Sequence, residues 1–345
     1  MKNNNRKLVW QLPFLTFLVI GSILIVRQQH NMPFQHDNGF IFGTVYDIKY
    51  QCDSNLQQSV KAELDKVDKA MSMFNKESTV SKINRGERPD ISGTMFEELY
   101  NTASLISKDT QGAFDITVSP LVNAWGFGFK NAMMPTKGQV DSMLQFVGYE
   151  KISLIKEHNG TFVDKKDSRV TLDLSSIAKG YGCDIVARLL RERGVRNFMI
   201  NIGGEIVASG TNENAKPWQI GVNKPTDDSL NTNGDIQTIL SIRDKAMATS
   251  GNYRNFYYKD GKKYAHTIDP HSGYPVQHNI LSSTVIADNC ATADAYATAF
   301  MVLGLEGAKA VLNRRPELMA YFIYADKDGK NAIWYSPSMK SLINK

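Results

Sequence analysis

"LDLSSIAKGYGCDIVARLLRERGVRNFMINIGGEIVASG", residues 172–210, decides the fold class of this chain. It opens at a strand end carrying Asp173, Ser175 and Ser176. It then enters a helix marked by Ile177, Ile185, Val186, Leu189 and Leu190, with a stop at Gly194. It leaves through 198–208, which reads as a strand. More strands follow at 217–223, 236–243 and 281–287, and the next helix covers about 291–313. Strand follows strand with no helix between them, so the strict alternation of a doubly wound parallel sheet is missing. The pattern predicts an α+β body of mixed elements with largely antiparallel sheets.

The N-terminal half of the body fits the same class. "GFIFGTVYDIKY" (39–50) alternates and reads as a strand. Leu56, Val60, Leu64 and Val67 have helical spacing over 55–71, with Ser54 and Gln57 as a capping box. Thr94 and Glu97 repeat that spacing before Met95, Leu99, Ala103 and Ile106. Thr136 and Gln139 repeat it before Val140, Met143, Leu144 and Val147. "KISLIKEHNGTFVD" (151–164) reads as a hairpin turning at Asn159-Gly160, and "LMAYFIYADKDGKNAIWYS" (318–336) as one turning at Asp328-Gly329. There is no internal repeat and no low-complexity tract.

The net charge of +5 is unevenly placed. Residues 1–30 hold Lys2, Arg6, Lys7 and Arg27 and no acid, which leaves the remaining chain nearly neutral. That balance argues against an electrostatic nucleic-acid binder. "LVWQLPFLTFLVIGSILIV" (8–26) is close to the ~20 apolar residues that span a bilayer. Its basic flank is N-terminal, so the expected topology is a single-pass anchor in the inner (cytoplasmic) membrane. The tail would stay in the cytoplasm and the body on the periplasmic, extracytoplasmic side. A cleaved signal peptide is the alternative. The three cysteines, Cys52, Cys183 and Cys290, lie far apart and form neither a disulfide framework nor a zinc spacing.

Several stretches carry more polar residues and glycines than packing requires. In "ATADAYATAF" (291–300), Asp294 and Thr298 are four apart and share one helix face. A carboxylate and a hydroxyl there could offer two oxygens to a hard cation such as Mg²⁺; an exposed polar face is the alternative. Asp173 reads equally as a helix cap or turn residue, and Gly203-Gly204 as tight backbone packing. "AHTIDPHSGYPV" (265–276) is either an ordinary turn or a stiff loop presenting His266, with Asp269-Pro270 as its turn signal.

The order of these stretches carries further information. "FIFGTVYDI", "MSMFNKESTVSKIN", "GAFDITVSPL", "LDLSSIAKGYGCD", "NIGGEIVASG", "TSGNYRNF", "HTIDPHSGYPV" and "TADAYATAFMVLG", taken together, resemble the FAD:protein FMN transferase family, the ApbE-type flavin transferases. The resemblance covers about residues 39–335. It implies residues 1–30 as tail and anchor or signal segment, and 31–345 as one flavin transferase domain. It implies an enzyme that splits FAD, moves the FMN half onto a Thr or Ser hydroxyl of an extracytoplasmic redox subunit, and releases AMP. It implies Mg²⁺ held by Asp294, Thr298 and a backbone carbonyl of the "SSIAKG" loop, that of Ala178 or, as the alternative candidate, Ser176. The acid that members often carry just before the threonine is Ala297 here. FAD contacts carry over to Phe42, Phe74, Ala113, Phe114, Asp115, Asp173, Lys179 and Ile268. Phe42 stands where methionine is frequent and Phe74 where tyrosine is. His266 matches the histidine of the family's H-x-x-D-P motif, implying a general base. The readings that compete are a Mg²⁺-dependent FAD pyrophosphatase, a membrane-anchored flavin carrier without catalysis, and a purely structural domain.

Overall fold

A computed structural model describes residues 13–22, 32–128, 134–225, 235–252, 256–259 and 262–344. A short apolar helix, α1 (Pro13–Ser22), is followed by the hairpin β1 (Phe34–Ile41) and β2 (Thr44–Gln51). Then come α2 (Gln57–Met71), α3 (Thr79–Asn84), α4 (Met95–Asp109), α5 (Ser119–Ala124) and α6 (Lys137–Leu144). A second hairpin, β3 (Ile152–Glu157) and β4 (Gly160–Lys165), leads to α7 (Ala178–Glu192). The strands β5 (Phe198–Ile202), β6 (Glu205–Ser209), β7 (Trp218–Asn223), β8 (Ile236–Ile242) and β9 (Lys245–Gly251) follow. The chain ends with β10 (Phe256–Lys259), β11 (Lys262–Ala265), β12 (Ile280–Ala287), α8 (Cys290–Arg314), β13 (Met319–Ala325) and β14 (Asn331–Tyr335).

Eight strands form one sheet in the order β1-β2-β5-β6-β9-β12-β13-β14, and every neighbouring pair is antiparallel. The expected α+β class is therefore observed. Successive side chains in a strand face opposite ways, and the two faces have different covers. Val207, Ala246, Ala248, Val285, Ala287, Ala320 and Phe322 join the helical cores that contain α2, α4, α7 and α8. Ile206, Ala208, Met247, Ile286, Tyr321 and Ile323 pack under the β7–β8 hairpin, on Trp218, Ile220 and Leu240. α8 is long and apolar enough by composition to cross a bilayer, yet Ala293, Ala295, Ala299 and Phe300 are buried in the helical core. Gly304, at φ 71°, kinks it.

Four local expectations change. The 39–50 stretch is a hairpin, turning at Phe42 (φ 51°) and Gly43 (φ 74°). Likewise 198–208 is two strands joined at Gly203 (φ 64°) and Gly204 (φ 105°), a turn that needs positive φ at both positions. The β3–β4 turn is His158-Asn159, since Glu157 pairs with Gly160. The Thr136–Gln139 capping box forms, and the Thr94 side chain accepts from Glu97 N–H. The Ser54–Gln57 box does not form. Asn55 Oδ1 takes the Gln57 N–H at 3.0 Å, and the Ser54 hydroxyl donates to Asp53 instead. α1 covers only the middle of the 8–26 segment, with Phe14, Leu15, Phe17 and Ile20 exposed. The remainder of that segment and its basic flanks lie outside the described residues.

Candidate active site

The N-termini of α7 and α8 meet above the middle of the sheet. Gly180 permits the approach: a Cβ there would lie 2.4 Å from the Cys290 carbonyl oxygen. α8 is capped twice. The Asn289 side chain accepts from Thr292 N–H at 2.9 Å, and the half-buried Asp184 carboxylate of α7 accepts from Cys290 and Ala291 N–H, both at 2.8 Å. Burial pushes the Asp184 pKa up to about 6 despite those two donors.

The same meeting point gathers the expected cation ligands. Asp294, only 3% exposed, accepts from Gly180 N–H at 3.1 Å. Its carboxyl pKa is raised, first by burial and then by the charge of Glu205, with Lys179 working in the other direction. Thr298, one turn further, lies 3.2 Å from the Ser250 hydroxyl at the end of β9. Ala178 begins α7, two residues before Gly180. Lys179 forms an ion pair with the buried Glu205 of β6. Burial opposes the Lys179 ammonium, but Glu205 and Asp294 outweigh it and its pKa rises. One oxygen of Glu205, Oε2, is buried and makes no hydrogen bond.

This donor set fits Mg²⁺ chemically. A carboxylate, a hydroxyl and a nearby backbone carbonyl are hard oxygen donors. Two buried carboxylates, Asp294 and Glu205, stand against the part-exposed Lys179 ammonium, so one negative charge is uncompensated when all three are ionised, and one Glu205 oxygen is left without a hydrogen bond.

A second group of residues supports the neighbouring surface. The backbone N–H of Asp173 donates to Ile116 O at 2.7 Å, and its carboxylate accepts from Ser175 N–H at 2.8 Å. This ties the loop before α7 to the Ala113–Asp115 segment. Phe114 is 1% exposed in the core, and Ala113 is buried as well, so the segment offers a ligand its backbone more than its side chains. Both oxygens of the buried Asp115 carboxylate are engaged, by Thr117 and by Tyr149 N–H. Burial raises its pKa. Phe42 lies over Gly182, one turn along α7 from Ala178, where a Cβ would meet its ring at 2.7 Å. Phe74 stands on the α2–α3 connection with 79% of its surface exposed.

The loop carrying His266 is stiffened from several sides. Asp269 accepts from His271 N–H and Ser272 N–H, and its own N–H donates to Tyr274 O. His271 Nε2 lies 2.8 Å from Gln111 O, which brings this loop to the 113–115 segment. Trp125 Nε1 donates to Gly273 O at 2.8 Å. Ile268 is buried against Leu121, Trp125 and Val140, and it bridges to Pro275 through backbone. The His266 ring is edge-on to Phe127, with centroids 6.4 Å apart. Asp269 is therefore a loop organiser.

Two further contacts join this loop to Thr298, one of the expected cation ligands. Thr267, next to His266, donates its hydroxyl to Asn252 Oδ1 at 2.6 Å. Two residues before Asn252 stands Ser250, which touches Thr298. Four residues outside the expected set thus connect it: Glu205, Ser250, Asn252 and Thr267. Glu205 had a sequence signal, an acid opening a strand of otherwise apolar and small residues, "EIVAS". The arginine of "TSGNYRNF", Arg254, falls outside the described residues.

Comparison with known proteins agrees with this geometry. The ApbE family model matches residues 42–322. The chain is 36% identical over 306 residues to the FAD:protein FMN transferase of Haemophilus influenzae, spanning 85% of this chain and 87% of that protein. It is 34% identical over 294 residues to the protein of the same name from Escherichia coli K12, spanning 84% and 82%. Among solved structures it is similar to the flavin transferase ApbE from Vibrio cholerae. The TM-score is 0.80 at 34% identity, covering 90% of this chain and 99% of that one.

Proposed function

The chain belongs to the ApbE family, and from that premise we propose a Mg²⁺-dependent reaction on an extracytoplasmic acceptor protein. The chain is an enzyme, a FAD:protein FMN transferase that moves flavin to protein. The acceptor in this reading is a redox-complex subunit that presents a Thr or Ser hydroxyl.

His266 takes the hydroxyl proton while the hydroxyl oxygen bonds to the FMN phosphorus of FAD. The bond from that phosphorus to the bridging oxygen breaks, and AMP leaves. Asp294, Thr298 and the Ala178 carbonyl would hold the cation. When bound, Mg²⁺ supplies positive charge against the diphosphate and the leaving oxygen. Lys179, its ammonium paired with Glu205, joins the FAD contacts. Asp173, the 113–115 backbone, Phe42, Phe74 and Ile268 form the walls that orient FAD. The observation that carries this reading is a pair of contacts on one segment: Thr267, next to His266, bonds Asn252, and Ser250, two residues before Asn252, touches Thr298. The pair supports placing the base near the proposed cation ligands.

FAD and Mg²⁺ without acceptor separate transfer from hydrolysis. A transferase gives little AMP until a Thr-bearing acceptor is added. Steady multiple turnover to FMN and AMP without acceptor would mark a pyrophosphatase, and no AMP in either mixture would mark a flavin carrier.

For topology we adopt the single-pass anchor with the body outside the cytoplasm, supported by the basic N-terminal flank of the 8–26 segment. A C-terminal reporter active only in the cytoplasm should be silent. An active reporter would reverse the orientation.

A further inference from the structure

The Lys179–Glu205 pair has a feature that ordinary ion pairing leaves unexplained. Glu205 is the first residue of β6, directly after the Gly203-Gly204 turn, and its side chain is 4% exposed. One carboxylate oxygen meets the Lys179 ammonium. The other, Oε2, is buried and makes no hydrogen bond. Its backbone carbonyl accepts from the Cys183 thiol at 3.2 Å, which fixes the strand start against α7. Leaving a buried carboxylate oxygen unsatisfied is costly, and a plain structural brace could be built without it.

Lys179 is also adjacent in sequence to Gly180, whose N–H serves Asp294. Glu205 claims the ammonium, so Asp294 receives a backbone N–H, a neutral donor that leaves its negative charge available. Resting on the cation site of the proposed function, we propose that Glu205 is a positioning residue of that site. Its carboxylate holds the Lys179 ammonium away from Asp294, and its charge helps draw a divalent cation to the Asp294–Thr298 pair. Lys179 and the cation thus compete for the same negative charge, and Glu205 sets the balance between them. Asp184 also faces this region, but its two oxygens are committed to the α8 N-terminus.

The test is Mn²⁺ binding to the full chain, followed by electron paramagnetic resonance, with thermal melts beside it. Glu205→Gln keeps the shape and an acceptor for Lys179 but removes the charge, so Mn²⁺ affinity should fall by roughly ten-fold or more. Lys179→Met removes the competing cation, so Mn²⁺ affinity should rise. A merely structural pair predicts wild-type Mn²⁺ affinity in Glu205→Gln, and that result would overturn the inference. If Glu205→Gln does not melt cooperatively, Lys179→Met decides alone: tighter Mn²⁺ binding supports the role, and unchanged or weaker binding overturns it. A wild-type chain that binds no Mn²⁺ would remove the cation site and this inference with it. Wild-type binding with unshifted variants would remove only the role of Glu205.

Discussion

His266→Ala should transfer flavin roughly 10²–10⁴-fold more slowly than wild type while binding FAD with similar affinity. The proposed imidazole acts on the acceptor hydroxyl, so its loss leaves the flavin contacts in place. The wild-type rate should also fall toward acid, because a protonated imidazole cannot accept the hydroxyl proton. The loop itself should survive the substitution. Its turn is held by Asp269, by Trp125 Nε1 on Gly273 O and by the Thr267–Asn252 bond, none of which needs the His266 ring. FAD affinity by fluorescence and transfer rate against pH, for both forms, check this. A loss of FAD affinity in proportion to activity would make His266 a binding residue and sink the base role.

Asp294 needs two substitutions, because it has two separable tasks. It accepts the Gly180 N–H at the start of α7, which a neutral amide can also do. Asp294→Asn should therefore keep a melting temperature near wild type, yet lose transfer by at least roughly 10²-fold at limiting Mg²⁺. Asp294→Ala removes the acceptor as well and should cost about 1 kcal/mol of stability in addition, as the loss of a helix cap does. Rates over a Mg²⁺ series and thermal melts for both variants separate the tasks. Full activity of Asp294→Asn at low Mg²⁺ would reduce Asp294 to a cap.

Much of this was legible in the sequence, and the exceptions have local causes. The antiparallel α+β class followed from strands succeeding strands between 198 and 287. Asp294 and Thr298 could be paired by helical spacing, but what faces them comes from α7, through Gly180, and from β9, through Ser250, which spacing on α8 cannot report. The 39–50 hairpin was hidden because a phenylalanine occupies a positive-φ turn position, Phe42, where glycine or asparagine would have signalled it. The Gly203-Gly204 turn carried its signal, yet the apolar residues on both sides join into what looks like one strand. Phe114 and Ile268 are expected FAD contacts whose side chains are buried in the core, so what they present to the site is backbone, a distinction the motif does not carry because the packing of neighbouring elements decides where the ring or the aliphatic chain goes. Glu205, Ser250, Asn252 and Thr267 connect the site by contacts between residues distant in the chain, which local patterning does not encode.

The central claim is transfer of FMN to protein, and the mass of the acceptor tests it most directly. The full chain, FAD and Mg²⁺ are incubated with a redox subunit bearing a candidate Thr or Ser, and the intact acceptor is weighed by mass spectrometry. The account predicts an acceptor heavier by one phosphoester-linked FMN, with AMP released in equal amount. An unmodified acceptor alongside free FMN and AMP would contradict it.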